Sequence, residues 1–198
     1  MKIGDRIGLF GGSFDPIHTG HLILAQTALD YANLDKVYFI PTAVPPHKKT
    51  RKLTAIEHRL KMVELAVADN DGFEISLLEK KKEPSFTFES VLHFSSLGYD
   101  RAGIHLLVGS DSLGEMASWR GPETIFRKAT ILAMKRPGHE IPSGVPREAA
   151  IIVMTAGANS ISSSSIRDMV SKGRSVRYLV PRPVEEYIRA NSLYAASE

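Results

Sequence analysis

The chain has 198 residues, 43% hydrophobic and 24% charged, with 15 Gly, 11 Pro and no Cys. That size fits one α/β domain whose core needs no covalent or metal staple, and the balanced composition excludes disorder and collagen-like repeats. The lack of Cys excludes disulfide frameworks, thiol nucleophiles and Cys-held metal clusters, while 25 Lys and Arg against 22 Asp and Glu leave a net charge of only +3.

Short apolar runs alternate with amphipathic stretches along the whole chain. Arg6–Phe10 is the first expected strand, followed by a helix over Gly20–Leu34. Val37–Ile40 and Phe73–Leu77 are strands on either side of a helix over Ala55–Ala68, which Thr54 and Glu57 would open as a capping box. A helix over Phe88–Leu97 leads to the strand Ile104–Val108. Helices over Ser112–Trp119 and Glu123–Lys128 come next, then strands at Thr130–Lys135 and Ile151–Thr155. Two helices close the chain, Ser163–Lys172 and Val184–Asn191, with Pro183 suited to the first turn of the last.

This alternation predicts a Rossmann-like α/β fold, a mostly parallel sheet with helices on both faces, as one domain over residues 1–198. Ligands of such sheets sit beyond the carboxyl ends of the strands at a topological switch point. The loops after Phe10, Ile40, Leu77, Val108 and Thr155 are therefore the ones to search. Pro41–Thr54 and Arg136–Ala150 are long and basic, and the first is basic enough to act as a lid. No apolar run approaches a membrane span, and Met1–Asp5 lacks the apolar stretch of a signal peptide. We expect a soluble cytoplasmic protein with no membrane partner.

Charge is concentrated rather than large. His47, Lys48, Lys49, Arg51 and Lys52 form a basic cluster, and His18, His21, His47 and His58 all fall in the first 60 residues. A small anionic ligand suits this better than nucleic acid, whose binders carry a larger clustered excess.

The first strand runs directly into Gly11-Gly12-Ser13-Phe14-Asp15-Pro16-Ile17-His18-Thr19-Gly20-His21. Paired glycines permit close approach of a ligand to the backbone, and the following helix start offers free amides to an anion. His18 and His21, three apart, can share one side of that helix start and stabilise charge growing on a phosphate. Zinc on His18, His21 and Asp15 would need another His or Glu at metal-site spacing, which the sequence lacks, so no protein-held metal is expected. Neither a Walker A motif nor a Gly-x-Gly-x-x-Gly run occurs, nor a Gly-x-Ser-x-Gly elbow.

This loop resembles, at every fixed position, the Gly-Gly-x-Phe-Asp-Pro-x-His-x-Gly-His signature of the HxGH nucleotidyltransferase superfamily. Within it the chain is similar to the bacterial nicotinate-nucleotide adenylyltransferases, and the resemblance spans essentially its whole length. Pro45-Pro46-His47-Lys48 matches a segment that this family uses at the phosphates. Pro84-Ser85-Phe86-Thr87-Phe88-Glu89-Ser90 falls where the family has Ser-Tyr-Thr-x-Asp-Thr beside the pyridine carboxylate. Thr87 matches, whereas Phe86, Glu89 and Ser90 replace Tyr, Asp and Thr. By itself Ser85 or Thr87 reads as a cap for the next helix.

Gly109-Ser110-Asp111 and Trp119 correspond to residues that hold the nucleotide and stack on the nicotinate ring. Arg136-Pro137-Gly138 also fits the family. Ile161-Ser162-Ser163-Ser164-Ser165-Ile166-Arg167 answers to Ile-Ser-Ser-Thr-x-Ile-Arg at the ATP phosphates, with a Ser as the expected helix cap.

The resemblance thus implies catalysis by His18, His21, Lys48 and Arg167. It implies ATP binding by Gly11, Gly12, Ser13, Phe14, His21, Gly109, Asp111, Ile161, Ser162, Ser163 and Arg167. Thr87 and Trp119 would bind nicotinate, and Mg²⁺ would bridge the ATP phosphates. The implied reaction joins the AMP moiety of ATP to nicotinate mononucleotide, giving nicotinate adenine dinucleotide and pyrophosphate in NAD biosynthesis. The first loop is common to the superfamily, so it leaves open other acceptors (nicotinamide mononucleotide, phosphopantetheine or a sugar phosphate) and a non-catalytic nucleotide sensor. It also leaves homo-oligomer formation open.

Overall fold

The computed structural model describes residues 5–43, 53–79, 86–135, 149–155 and 161–196, omitting the side chains of Asp111 and Thr155. Its strands are β1 (Ile7–Gly12), β2 (Lys36–Pro41), β3 (Phe73–Ile75), β4 (Ile104–Gly109), β5 (Thr130–Lys135) and β6 (Ile151–Thr155). The helices are α1 (Thr19–Tyr31), α2 (Ile56–Val67), α3 (Thr87–Ser96), α4 (Ser110–Leu113), α5 (Pro122–Lys128), α6 (Ser163–Ser171) and α7 (Arg182–Ala190). All strand pairings are parallel, in the order β3-β2-β1-β4-β5-β6. The chain therefore reverses its direction of sheet growth between β1 and β4, which is the switch point of a Rossmann-like sheet.

Both faces are covered, because strand side chains alternate between two apolar layers. Phe10, Val37, Phe39, Leu107, Leu132 and Met134 pack with Leu24, Ala28, Met62, Val63, Ile166, Val184 and Ile188 from α1, α2, α6 and α7. Ile7, Leu9, Ile104, Leu106, Ile131 and Ala133 pack on the opposite face with Val91, Phe94, Leu113, Ile125 and Phe126 from α3, α4 and α5. Among the described residues no helix is long and apolar enough to cross a membrane.

Several element boundaries differ from the sequence expectation for identifiable reasons. Helix α1 stops at Tyr31 instead of Leu34, since Asn33 adopts a left-handed φ of 48°. The expected helix over Ser112–Trp119 is two pieces, α4 and a 3₁₀ turn at Met116–Ser118, with Gly114 ending the first. Strand β3 ends at Ile75, two residues early. The capping box at Thr54 is not formed: Ala55 is the N-cap of α2 and makes no side-chain cap bond. Thr54 is engaged elsewhere, its carbonyl by Arg59 and its hydroxyl by Tyr194. Thr87 is likewise no cap; the N-cap of α3 is Phe86, without a side-chain bond. Ser162 does cap α6, accepting from the Ser165 amide at 3.1 Å, and Pro183 lies in the first turn of α7.

Candidate active site

Strand β1 runs two residues past the expected end at Phe10, with Gly11 and Gly12 paired to Ile40 and Pro41 of β2, and the backbone then passes through Ser13–Ile17 to the N-cap His18 of α1. Phe14 takes a left-handed φ of 43° and is 1% exposed. Its ring is an edge contact to Phe10 at 5.4 Å and to His21 at 5.1 Å between centroids. The Phe14 side chain is therefore packing, and its share of any ligand site is through its backbone. A side chain at Gly12 would crowd this ring, because a Cβ would lie 3.0 Å from Phe14 Cζ.

The two histidines stack, with centroids 3.6 Å apart and planes at 25°. His18 is the N-cap of α1, and its backbone N–H donates to His21 Nδ1 at 3.2 Å. With Nδ1 accepting, the neutral His21 ring carries its proton on Nε2, a donor suited to a phosphate oxygen. His18 is 3% exposed, whereas His21 is only half-buried. The spacing of three does put both rings on one side of the helix start, but unequally, with His18 beneath and His21 nearer the surface.

The loop is gripped from distant parts of the chain. The Arg167 Nη1 donates a short hydrogen bond to the Asp15 carbonyl, and Nη2 donates to Ser164 Oγ at 2.9 Å. Ser163 Oγ donates to the Pro16 carbonyl at 2.8 Å. The start of α6, which follows the far edge strand, is in this way brought against the loop that follows the central one. Ile161 approaches the same place, its Cβ 3.8 Å from where a Gly20 Cβ would lie. Thr19 fastens the other side, its N–H donating to the Leu179 carbonyl at 2.9 Å.

Two participants had no place in the sequence reading. Tyr194 donates its hydroxyl to Asp15 Oδ1 at 2.8 Å, and Asp15 is 1% exposed. Burial, with the Asp15 charge and hydrogen bond adding to it, pushes the Tyr194 phenol far above its ordinary range, against smaller effects of Thr54 and Arg167. Arg59, also 1% exposed, reaches the Ser13 carbonyl from α2. Burial lowers its pKa, with the Asp15 charge opposing. The sequence does carry a signal for Arg59, which lies three and four residues before Met62 and Val63 on the buried stripe of α2. Tyr194 carried none.

Gly109 ends β4 and is the N-cap of α4, so it lies across the switch point from the first loop. Asp111 follows within α4. Thr87 begins α3 and is half-buried. Trp119 follows the 3₁₀ turn and packs against the second core layer. The two segments meet: the Arg120 guanidinium stacks over the Phe86 ring at 4.7 Å, joining the neighbours of Trp119 and Thr87. Lys48, the rest of its basic cluster, Ser85 and Arg136 lie outside the described residues.

The cytidylyltransferase-like family model matches residues 9–169. A "Probable nicotinate-nucleotide adenylyltransferase" of Geobacillus thermodenitrificans is 36% identical over 192 residues, covering 96% of this chain and 87% of the relative. One of Exiguobacterium sibiricum with the same title is 37% identical over 96% of this chain and 99% of its own. Among solved structures, the Plasmodium falciparum nicotinic acid mononucleotide adenylyltransferase complexed with NaAD superposes with a TM-score of 0.81. It covers 96% of this chain and 97% of its own at 19% identity, a likeness of fold.

Proposed function

The chain belongs to the cytidylyltransferase-like family and, within it, to the nicotinate-nucleotide adenylyltransferases, and from that premise we propose that it transfers AMP from ATP to nicotinate mononucleotide. The observation that carries the reading is the junction of the glycine loop with α6, where Ser163 and Arg167 bond the carbonyls of Pro16 and Asp15. It gathers the first and last motifs at the switch point of the sheet.

In this reading the 5′-phosphate oxygen of nicotinate mononucleotide attacks the α-phosphorus of ATP. A new P–O bond forms, the bond from the α-phosphorus to the bridging oxygen breaks, and pyrophosphate leaves with that electron pair. The attacking phosphate is already an anion near neutral pH, so no side chain has to be made nucleophilic. Catalysis then rests on positioning and on charge stabilisation. The glycines that end β1 let the triphosphate approach the backbone at Gly11–Ser13, and the Nε2 proton of His21 donates to the α-phosphate. His18 supports it, from beneath, by stacking and by fixing the acceptor role of Nδ1. Lys48 and Arg167 neutralise the departing pyrophosphate. Asp111 and Gly109 hold the nucleotide, and Thr87 and Trp119 receive the pyridine ring.

Mg²⁺, where bound, would sit on the phosphates and water of the incoming ATP and neutralise part of their charge, and no step here runs through it. The six described strands share one sheet, which supports a single domain, and a soluble cytoplasmic setting suits such chemistry.

Pyrophosphate release from Mg-ATP, with nicotinate mononucleotide, nicotinamide mononucleotide and phosphopantetheine offered in turn, tests the reading. We expect the first to give product fastest. Product from another acceptor alone would overturn the acceptor, and ATP binding without pyrophosphate release would favour a sensor.

A further inference from the structure

Arg59 occupies a position where the apolar stripe of α2 calls for an aliphatic side chain, and it is 1% exposed. A buried guanidinium is costly unless its donors are met. Here its partners are four backbone carbonyls on three separate segments. Nε donates to Thr54 at 2.8 Å, Nη1 to Ser13 and Thr42, each at 2.8 Å, and Nη2 to Ala43 at 3.1 Å. Thr42 is itself tied to the glycine turn, its N–H donating to the Gly12 carbonyl at 2.9 Å.

Three carbonyls of the loop, at Ser13, Asp15 and Pro16, thus point at donors from α2 and α6. A carbonyl oxygen left bare beside a triphosphate would repel it. Capping each one with a guanidinium or hydroxyl removes that repulsion and fixes the peptide orientation. Only a planar fork of five N–H groups can meet four acceptors in this way; a Lys ammonium has three donors at a single point.

We propose that Arg59 is a positioning residue for the ATP site: it sets the glycine turn at Ser13 against the end of β2, so that the turn is shaped for the triphosphate before ATP arrives. This rests on the reading that the glycine turn receives ATP. Arg59 touches no reacting atom, and its effect passes through the turn, so it belongs on the ATP side of the reaction and not on the acceptor side.

The test compares wild type, R59K and R59M in three measurements: thermal unfolding, calorimetric titration with the Mg²⁺ complex of α,β-methylene ATP, and steady-state kinetics in each substrate. We expect R59M to fold, to bind the analogue about tenfold more weakly, and to lose on the order of 100-fold in kcat, as misplacement of a reacting group costs. The KM for nicotinate mononucleotide should stay within about twofold, because the acceptor side is untouched. R59K should recover part of both losses while unfolding no later than R59M. If R59M does not fold, R59K alone carries the test, with a smaller loss confined to ATP.

The proposal is overturned by folded variants with native analogue affinity and kcat, or by equal losses toward both substrates. Unfolding of both variants at the assay temperature would also overturn it, since Arg59 would then serve the fold alone. A wild type that binds the analogue but makes no dinucleotide from nicotinate mononucleotide would refute the function and leave the Arg59 titration standing.

Discussion

Replacing Tyr194 by Phe removes one oxygen and little volume, so it deletes the hydrogen bonds of the phenol, chiefly the one to Asp15 and with it the contact to Thr54. That bond is 2.8 Å long and ends on a carboxylate of a residue only 1% exposed. Hydrogen bonds to charged groups are worth about 1.5–3 kcal/mol. Tyr194→Phe should therefore lower stability at pH 7 by about 2 kcal/mol, or about 4–8 °C in Tm for a chain of this length. The pH dependence supplies an independent check. The Tyr194 phenol is raised in the folded state, mainly by burial. A raised group contributes stability that is fully present below its unfolded value, about 10 for Tyr, and is lost as pH climbs above it. Each such group sets a limiting slope of about 1.4 kcal/mol per pH unit. Urea unfolding of both proteins from pH 7 to pH 11 should show a constant gap up to about pH 9.5 that narrows above 10. Tyr38 and Tyr99, also raised by burial, are present in both proteins and cancel in the comparison. Parallel curves across that range, or a Phe variant as stable as wild type at pH 7, would refute the reasoning.

Two further outcomes bear on the glycine loop. His21→Ala should cut kcat for pyrophosphate release by about 100- to 1,000-fold, the range for one transition-state donor, and a variant with near-native turnover would remove His21 from catalysis. Its stability should fall by only about 1 kcal/mol, for the lost acceptor of the His18 N–H. Gly12→Ala places a methyl group 3.0 Å from the Phe14 ring, which is itself held between Phe10, Phe39 and His21. Overpacking of this kind costs about 1–3 kcal/mol; denaturant unfolding should show that loss, along with weaker ATP binding.

The glycine loop, the capped serine run and the alternation of elements were legible because each is written in neighbouring residues. Gly11 and Gly12 end an apolar strand, and His18 and His21 are close enough in sequence to share a helix start. Thr54 shows where such local reading stops. Its residue pattern is that of a capping box, but the hydroxyl is drawn to Tyr194 and the carbonyl to Arg59, so Ala55 becomes the cap. Phe14 shows the same limit in the site itself. The loop motif places it beside the ligand, whereas its ring fills the core under His21, because three aromatic neighbours bury it.

By itself the sequence determined a parallel α/β fold and a glycine-containing loop leading from the first strand into a helix, since hydrophobic period and turn chemistry act over a few residues. The tertiary structure alone decided what holds that loop. Arg59, Arg167 and Tyr194 stand 46, 152 and 179 residues from their partners in it. A buried guanidinium and a buried phenol are stable only where the fold has already assembled their acceptors. Their role therefore follows from packing and desolvation, which no stretch of neighbouring residues encodes.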